Sequence, residues 1–256
     1  MILAAATLCQ RELVRFYRDR ARLIGALTPP IVFWFLIGSG LGSSLRLPGA
    51  PEGMSYLQYF FSGTLVLIVL FTSVFSTISV IEDRREGFMQ SVLVAPIPRI
   101  ALVAGKVLGA SLVGFLQGLT FLLLAPAAGL HAGPEGYALA ALTLLLASLG
   151  LTGLGFCLAW SLNSTQGFHG VMNLFLIPMW LLSGSLFPAS TSPAWLRLVI
   201  SINPVTYSVA GLQHALSPAG VVPAGLPGVG LCLAAQAAFA VATLAASVWI
   251  ARAARD

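Results

Sequence analysis

Residues 82–106 read Glu82-Asp83-Arg84-Arg85-Glu86-Gly87-Phe88-Met89-Gln90-Ser91-Val92-Leu93-Val94-Ala95-Pro96-Ile97-Pro98-Arg99-Ile100-Ala101-Leu102-Val103-Ala104-Gly105-Lys106. This is the one densely charged stretch in the interior of a very apolar chain, and it lies between two long hydrophobic runs. A charge at the centre of a bilayer costs about 3 kcal/mol even on a lenient scale, so five consecutive charged residues cannot sit in hydrocarbon. The stretch is therefore an aqueous loop between two membrane spans.

Composition agrees. The chain has 256 residues, 58% hydrophobic and 8% charged, against about 25% charged in soluble domains. At about 20 residues per spanning helix, the length suits six spans and a single transmembrane domain over 1–256. The runs fall at 24–41, 57–81, 100–128, 137–162, 168–187 and 228–250. Pro29 and Pro30 open the first of them, where a missing N–H costs nothing. Residues 188–227 hold six prolines between helical-looking pieces, among which Trp195, Leu198, Val199 and Ile202 share one face.

With both termini cytoplasmic, that side holds eleven of the Lys and Arg residues and the other side only Arg46 and Arg197. The bias places the 82–99 loop inside and the 188–227 segment outside. It also accounts for the net charge of +5 without nucleic acid. Before the first span, Arg11, Arg15, Arg18 and Arg22 recur at helical spacing, with Leu13, Phe16 and Tyr17 opposite, although Arg20 spoils the pattern. Residues 3–23 read as an amphipathic helix in the interface plane, its arginines facing anionic headgroups or a partner protein. A plain topology anchor is the alternative.

Residues for chemistry are missing. His131, His169 and His214 fall in or beside loops, there is no H-E-x-x-H, and Ser183-Gly184-Ser185 has no histidine within a span to serve as base. Gly105-Lys106 fails as a phosphate loop, since Ile100 stands at the first glycine position and Val107 follows the lysine. Cys9, Cys157 and Cys232 are scattered, with no metal-binding spacing. Ser73, Thr77, Gln117 and Asn173 either line a path or bond neighbouring helices, and Gly105-x-x-x-Gly109 and Gly114-x-x-x-Gly118 carry no functional weight in so glycine-rich a chain. The expectation is a non-enzymatic chain with no cofactor or metal of its own. An ATP-independent channel or scaffold is the alternative to a transporter subunit.

Two separated motifs narrow this. Glu86-Gly87-Phe88-Met89-Gln90-Ser91-Val92-Leu93, Ala95-Pro96, Arg99 and Gly105-Lys106 resemble the cytoplasmic loop of ABC-2 type transporter permeases. Pro178, Ser183-Gly184, Phe187-Pro188, Pro193-Ala194-Trp195-Leu196 and Asn203-Pro204-Val205-Thr206-Tyr207 are similar to that family's fifth span and external hairpin. The N-terminal Arg11-Glu12-Leu13 and Pro29 fit as well, and the likeness is nearest to the drug- and polysaccharide-export branch. Where the family often has an acidic residue and then an arginine, this chain reads Val209 to His214 with neither.

The resemblance implies an all-α polytopic fold. Its parts are six transmembrane helices, an N-terminal interfacial helix, a cytoplasmic coupling helix, and an external helical hairpin between spans five and six. It implies two copies of this permease, or one and a close homologue, with two ABC ATPase subunits that hold ATP and Mg. Coupling falls to Glu82, Arg85, Glu86, Gly87, Phe88, Met89, Val92, Leu93, Pro96, Arg99 and Lys106, and the external gate to Phe187, Pro188, Trp195, Asn203, Pro204 and Tyr207. The residues suit a docking helix: Phe88 with Val92, and Met89 with Leu93, give an apolar face, Glu82, Asp83 and Glu86 favour its N-terminal end, and Pro96 and Pro98 stop it.

Overall fold

Ser55 starts the central helix of the chain. Its hydroxyl accepts from the Gln58 backbone N–H at 3.3 Å while the Gln58 side chain accepts from the Ser55 N–H at 3.0 Å. This reciprocal cap satisfies two amides that a helix start leaves orphaned. The structure, a computed structural model, describes residues 2–18, 20–42, 54–88, 98–217 and 225–253. Among these every regular element is helical: α1 (Ile2–Arg18), α2 (Arg20–Gly42), α3 (Tyr56–Ser76), α4 (Ile78–Arg85), α5 (Arg99–Leu122), α6 (Pro134–Ser161), α7 (Thr165–Trp180), α8 (Ala194–Ile202), α9 (Pro204–Leu216) and α10 (Val229–Ala253).

Five stretches among the described residues are long and apolar enough to cross a membrane: Tyr56–Arg85, Arg99–Leu122, Pro134–Ser161, Thr165–Ser185 and Val229–Ala253. The first of these, α3 with α4, is buried along most of its length, with α2, α5, α6, α7 and α9 packed around it. Its aromatic side chains fill the centre. Phe61 stacks on Phe121 of α5 at 4.9 Å, and Trp34 of α2 meets both edge-on while its indole N–H donates to the Leu57 carbonyl at 3.1 Å.

Several boundaries differ from the sequence reading. α1 ends at Arg18, and Arg22 belongs to the first turn of α2. Because α2 begins at Arg20, Pro29 and Pro30 stand mid-helix rather than in the first turn, and two backbone hydrogen bonds are forgone there. The 188–227 segment is not all peripheral either. α8 turns Trp195, Leu198 and Ile202 outward, whereas α9 is buried over nearly its whole length against α6, α10 and α3.

The glycine pairs of α5 have a clear use. A Cβ at Gly105 would lie 2.7 Å from Leu8 Cβ and 2.8 Å from the Ala5 carbonyl, and one at Gly109 would lie 2.7 Å from Glu12 Cβ. Glycine there lets α1 lie directly on the α5 backbone. Gly114 and Gly118 admit Ser73 and Val69 of α3 in the same way. α1 is thus a packed element, with Leu8, Glu12 and Phe16 buried.

Gly109→Val forces α1 off α5 and is expected to destabilise the purified chain by about 1–3 kcal/mol. It also frees the Cys9 thiol, whose pKa burial, and then the Glu12 charge, hold above its ordinary value. Maleimide labelling of Cys9 should accelerate. Gly170→Ala, with nothing within 4 Å of the added methyl group, should do neither.

Candidate functional site

The face of α1 that rests on Gly105 and Gly109 carries a carboxylate in an apolar stripe: Leu8, Glu12 and Phe16. One turn along α5, Lys106 lies opposite it. Lys106 Nζ donates to Glu12 Oε1 at 2.6 Å and to Asp83 Oδ2 of α4, with Ser79 Oγ at 3.5 Å. The side chains of Asp83, Lys106 and Glu12 are 0, 2 and 5% exposed, so this is a buried ion triad joining three helices.

A half-exposed layer closes over it. Arg11 grips Asp83 with both guanidinium nitrogens, each at 2.8 Å, and Arg15 donates to Asp83 Oδ1 at 3.1 Å and to Glu82 Oε2 at 2.8 Å. Arg11, Arg15 and Lys106 offset Glu12, Glu82 and Asp83, with Glu86 a further carboxylate 4.0 Å from Arg15. Pairing matters because an unpaired ion taken out of water costs several kcal/mol, while a matched, hydrogen-bonded set offsets it. The hydrogen bond to Asp83 raises the pKa of Arg11 against the opposing effect of its own desolvation. Arg11 also lies over the Phe88 ring, 3.9 Å from its centroid.

Two further arginines tie this end of the bundle together. Arg84 donates to the Trp160 carbonyl at 2.8 Å and to Asn163 Oδ1 at 3.0 Å, binding α4 to the end of α6. Arg99 donates to the Ala251 carbonyl at 2.6 Å, satisfying an end group of α10 where a cation also suits the helix dipole.

These contacts revise several sequence readings. Arg11 and Arg15 face the chain's own acidic residues, not headgroups, while Arg18 is exposed. Glu82 and Asp83 lie in the last turn of α4, not at the start of a new helix. Lys106 and Arg99, read as coupling residues, spend their charges inside the chain. Arg85 and Glu86 remain exposed, and Gly87, at φ +76°, makes the turn that places Phe88 beneath Arg11. Met89, Val92, Leu93 and Pro96 lie outside the described residues, as does the side chain of Arg22. Arg11, Val14, Arg15, Arg18 and Glu86 line an open cleft of about 560 Å³ beside the cluster.

At the other end, α7 is interrupted. Residues Leu181–Ser185 form a wide turn in which Leu182 and Gly184 leave helical geometry, Gly184 at φ +80°. Asn203 staples it: its side-chain amide donates to the Met179 and Leu182 carbonyls at 2.5 and 3.0 Å, while its oxygen accepts the Val205 N–H and caps α9. Pro204 occupies the first turn of α9, Thr206 Oγ donates to the Ile200 carbonyl, and Tyr207 Oη donates to the Ser201 carbonyl. The Asn203–Tyr207 motif therefore locks a corner. Phe187 and Pro188 follow the interruption, and Trp195 points away from it, 68% exposed.

The sequence reading missed Glu12 and Asp83 as partners of Lys106. The available signals were a carboxylate in the Leu8–Phe16 stripe and a lone lysine inside an apolar run that begins with a close-packing glycine pair.

A family model described as ABC-2 type transporter matches residues 4–216. Among curated proteins the chain is 25% identical over 213 residues to the putative transport permease ycf38 of Cyanophora paradoxa, covering 82% of this chain and 73% of that one. It is 26% identical over 231 residues to nodulation protein J of Rhizobium meliloti, covering 87% and 84%. It is 25% identical over 234 residues to the inner membrane transport permease YadH of Escherichia coli, covering 86% and 85%.

Lys106→Met leaves two buried carboxylates without their shared counter-ion, and is expected to cost about 3–5 kcal/mol of stability. Arg15→Gln, at the half-exposed layer, should cost less than about 1 kcal/mol. Thermal unfolding of the two purified variants in the same detergent checks the contrast.

Proposed function

Because this chain belongs to the ABC-2 type transporter family and is a membrane transport permease, we propose that it is the transmembrane subunit of an ATP-driven exporter. In this reading its cargo is an amphipathic drug, a lipid or a lipid-linked glycan. A separate ABC ATPase subunit docks on the 82–99 stretch and binds the ATP and Mg that drive the cycle. Two permease chains, identical or closely homologous, pair with two ATPases in the inner membrane. Both termini are cytoplasmic in this arrangement, as the eleven-to-two distribution of Lys and Arg favours. α2, a 23-residue helix packed on α3, serves as the sixth span.

The observation that carries the reading is how the loop leaves the bundle. Its first residues are fastened to α1 and α5 through Asp83 and Glu82, and its first apolar side chain, Phe88, is held in place by Arg11. A push on residues beyond Phe88 therefore reaches three helices at once instead of bending a slack connection. Arg18 and Glu86 at the adjoining cleft offer exposed charges to a partner's surface. Closure of the ATPases would tilt the spans attached to this cluster and alternate access to the pathway, with the α7–α9 corner gating the exit.

The tagged chain, extracted from native membranes in mild detergent, should bring down a stoichiometric subunit with ATPase activity. Leu93→Asp, which places a charge on the proposed docking face, should abolish that co-purification while the chain still inserts and folds. Recovery of the chain with no ATPase partner would overturn the proposal.

A further inference from the structure

The two fastened regions stand at opposite ends of one continuous element. α3 and α4 together span Tyr56–Arg85, 30 residues, or about 45 Å at the helical rise. At one end Asp83 is held by Arg11, Arg15 and Lys106. At the other, three hydrogen bonds within eight residues of α3 all go to the interruption in α7 and the residues flanking it. Tyr59 Oη donates to the Gly184 carbonyl at 2.6 Å, Tyr56 Oη donates to the Leu186 carbonyl at 3.2 Å, and Trp180 Nε1 donates to the Gly63 carbonyl at 2.8 Å. Backbone contact is direct there too, since a Cβ at Gly63 would lie 2.7 Å from Ser185 Cβ.

Between these ends there is one joint. The regular hydrogen-bond ladder lapses at Thr77, whose N–H and hydroxyl both turn to the Val74 carbonyl, at 3.0 and 2.6 Å. Gly155 of α6 lies against this spot: a Cβ there would be 2.9 Å from Thr77 Oγ and 3.1 Å from Val74 Cα. The absence of a side chain is what lets the joint bear on the α6 backbone.

We propose that α3–α4 works as a lever that pivots where Thr77 bears on Gly155, so that displacement of its Asp83 end moves the interruption in α7, with Tyr59 as the positioning residue of that interruption. This deepens the transport reading and rests on it for the purpose of the motion, though not for the mechanical linkage. An exit formed by the α7–α9 corner then opens or closes with the charged end, because the Gly184 and Leu186 carbonyls are held by α3. Helices packed in a close-fitting core move as units between discrete arrangements, which is what a lever requires.

The linkage is testable on the purified full-length chain in detergent, without ATPase or cargo. Cys9, Cys157 and Cys232 are replaced by alanine, a reporter cysteine is placed by Leu182→Cys at the interruption, and its labelling rate with N-ethylmaleimide is measured. Lys106→Met, whose partner Asp83 is about 36 Å of helix from Tyr59, should change that rate by about threefold or more. In the Tyr59→Phe background, and separately in the Gly155→Ala background, the same substitution should change it by less than about 1.5-fold. Should Lys106→Met fail to fold, Arg11→Gln at the half-exposed layer perturbs the same end. A reporter rate indifferent to the charged end, or an undiminished response in both backgrounds, would overturn the lever. Failure to recover an ATPase partner would sink the transport reading and leave this linkage standing.

Discussion

A single ammonium group, buried between carboxylates from two other helices, is the constraint on which the charged end of this protein depends. Lys106 cannot be solvated where it is, so α5 is placed only where Glu12 and Asp83 both reach it. That requirement fixes α1 against α5 and fixes the exit of the loop beyond α4. The glycines at 105 and 109 are its steric counterpart, since any side chain there would hold Glu12 out of range. Buried ion sets of this kind contribute little net stability compared with an apolar core of the same shape. What they supply is a defined position for each partner, and here the positioned object is the start of the loop that bears Phe88.

The far end is built on a different principle. An interrupted helix leaves carbonyls without their intrahelical partners, and within a membrane-spanning bundle other protein groups can take them. Tyr56, Tyr59 and Asn203 supply donors from two other elements, so the interruption becomes a junction between α3, α7 and the α8–α9 corner. α3 and α4 run unbroken from this junction to Asp83 except at Thr77, and the proposed lever rests on that continuity.

Much of the architecture was legible in the sequence. Long apolar runs gave the helices, since hydrocarbon leaves a chain few other ways to satisfy its backbone, and the charged stretch at 82–86 marked the end of the longest of them. The motif around Asn203–Tyr207 stood out, although its role as a corner lock depends on carbonyls of Met179, Leu182, Ile200 and Ser201 that no sequence pattern reveals. Charge pairing was the hardest part to read. Arg11, Arg15, Lys106 and Asp83 are separated by up to 95 positions, and periodicity along one helix says which face a charge is on but not what stands opposite. α9 misled for a related reason: prolines around it suggested a surface segment, while its burial comes from α6 and α10, which pack to either side.

The most direct test of the account is a double-mutant cycle between the two buried partners in α1 and α5, Glu12→Gln and Lys106→Gln, read by thermal unfolding of the purified chain. If the triad sets the position of these helices, Lys106→Gln takes the closest counter-ion from the buried Glu12, Glu12→Gln leaves Lys106 with Asp83 alone, and the pair together costs less than their sum by about 2 kcal/mol or more. Costs that add to within about 0.5 kcal/mol would contradict it, showing that the two side chains do not depend on each other and that some other contact holds α1 in place.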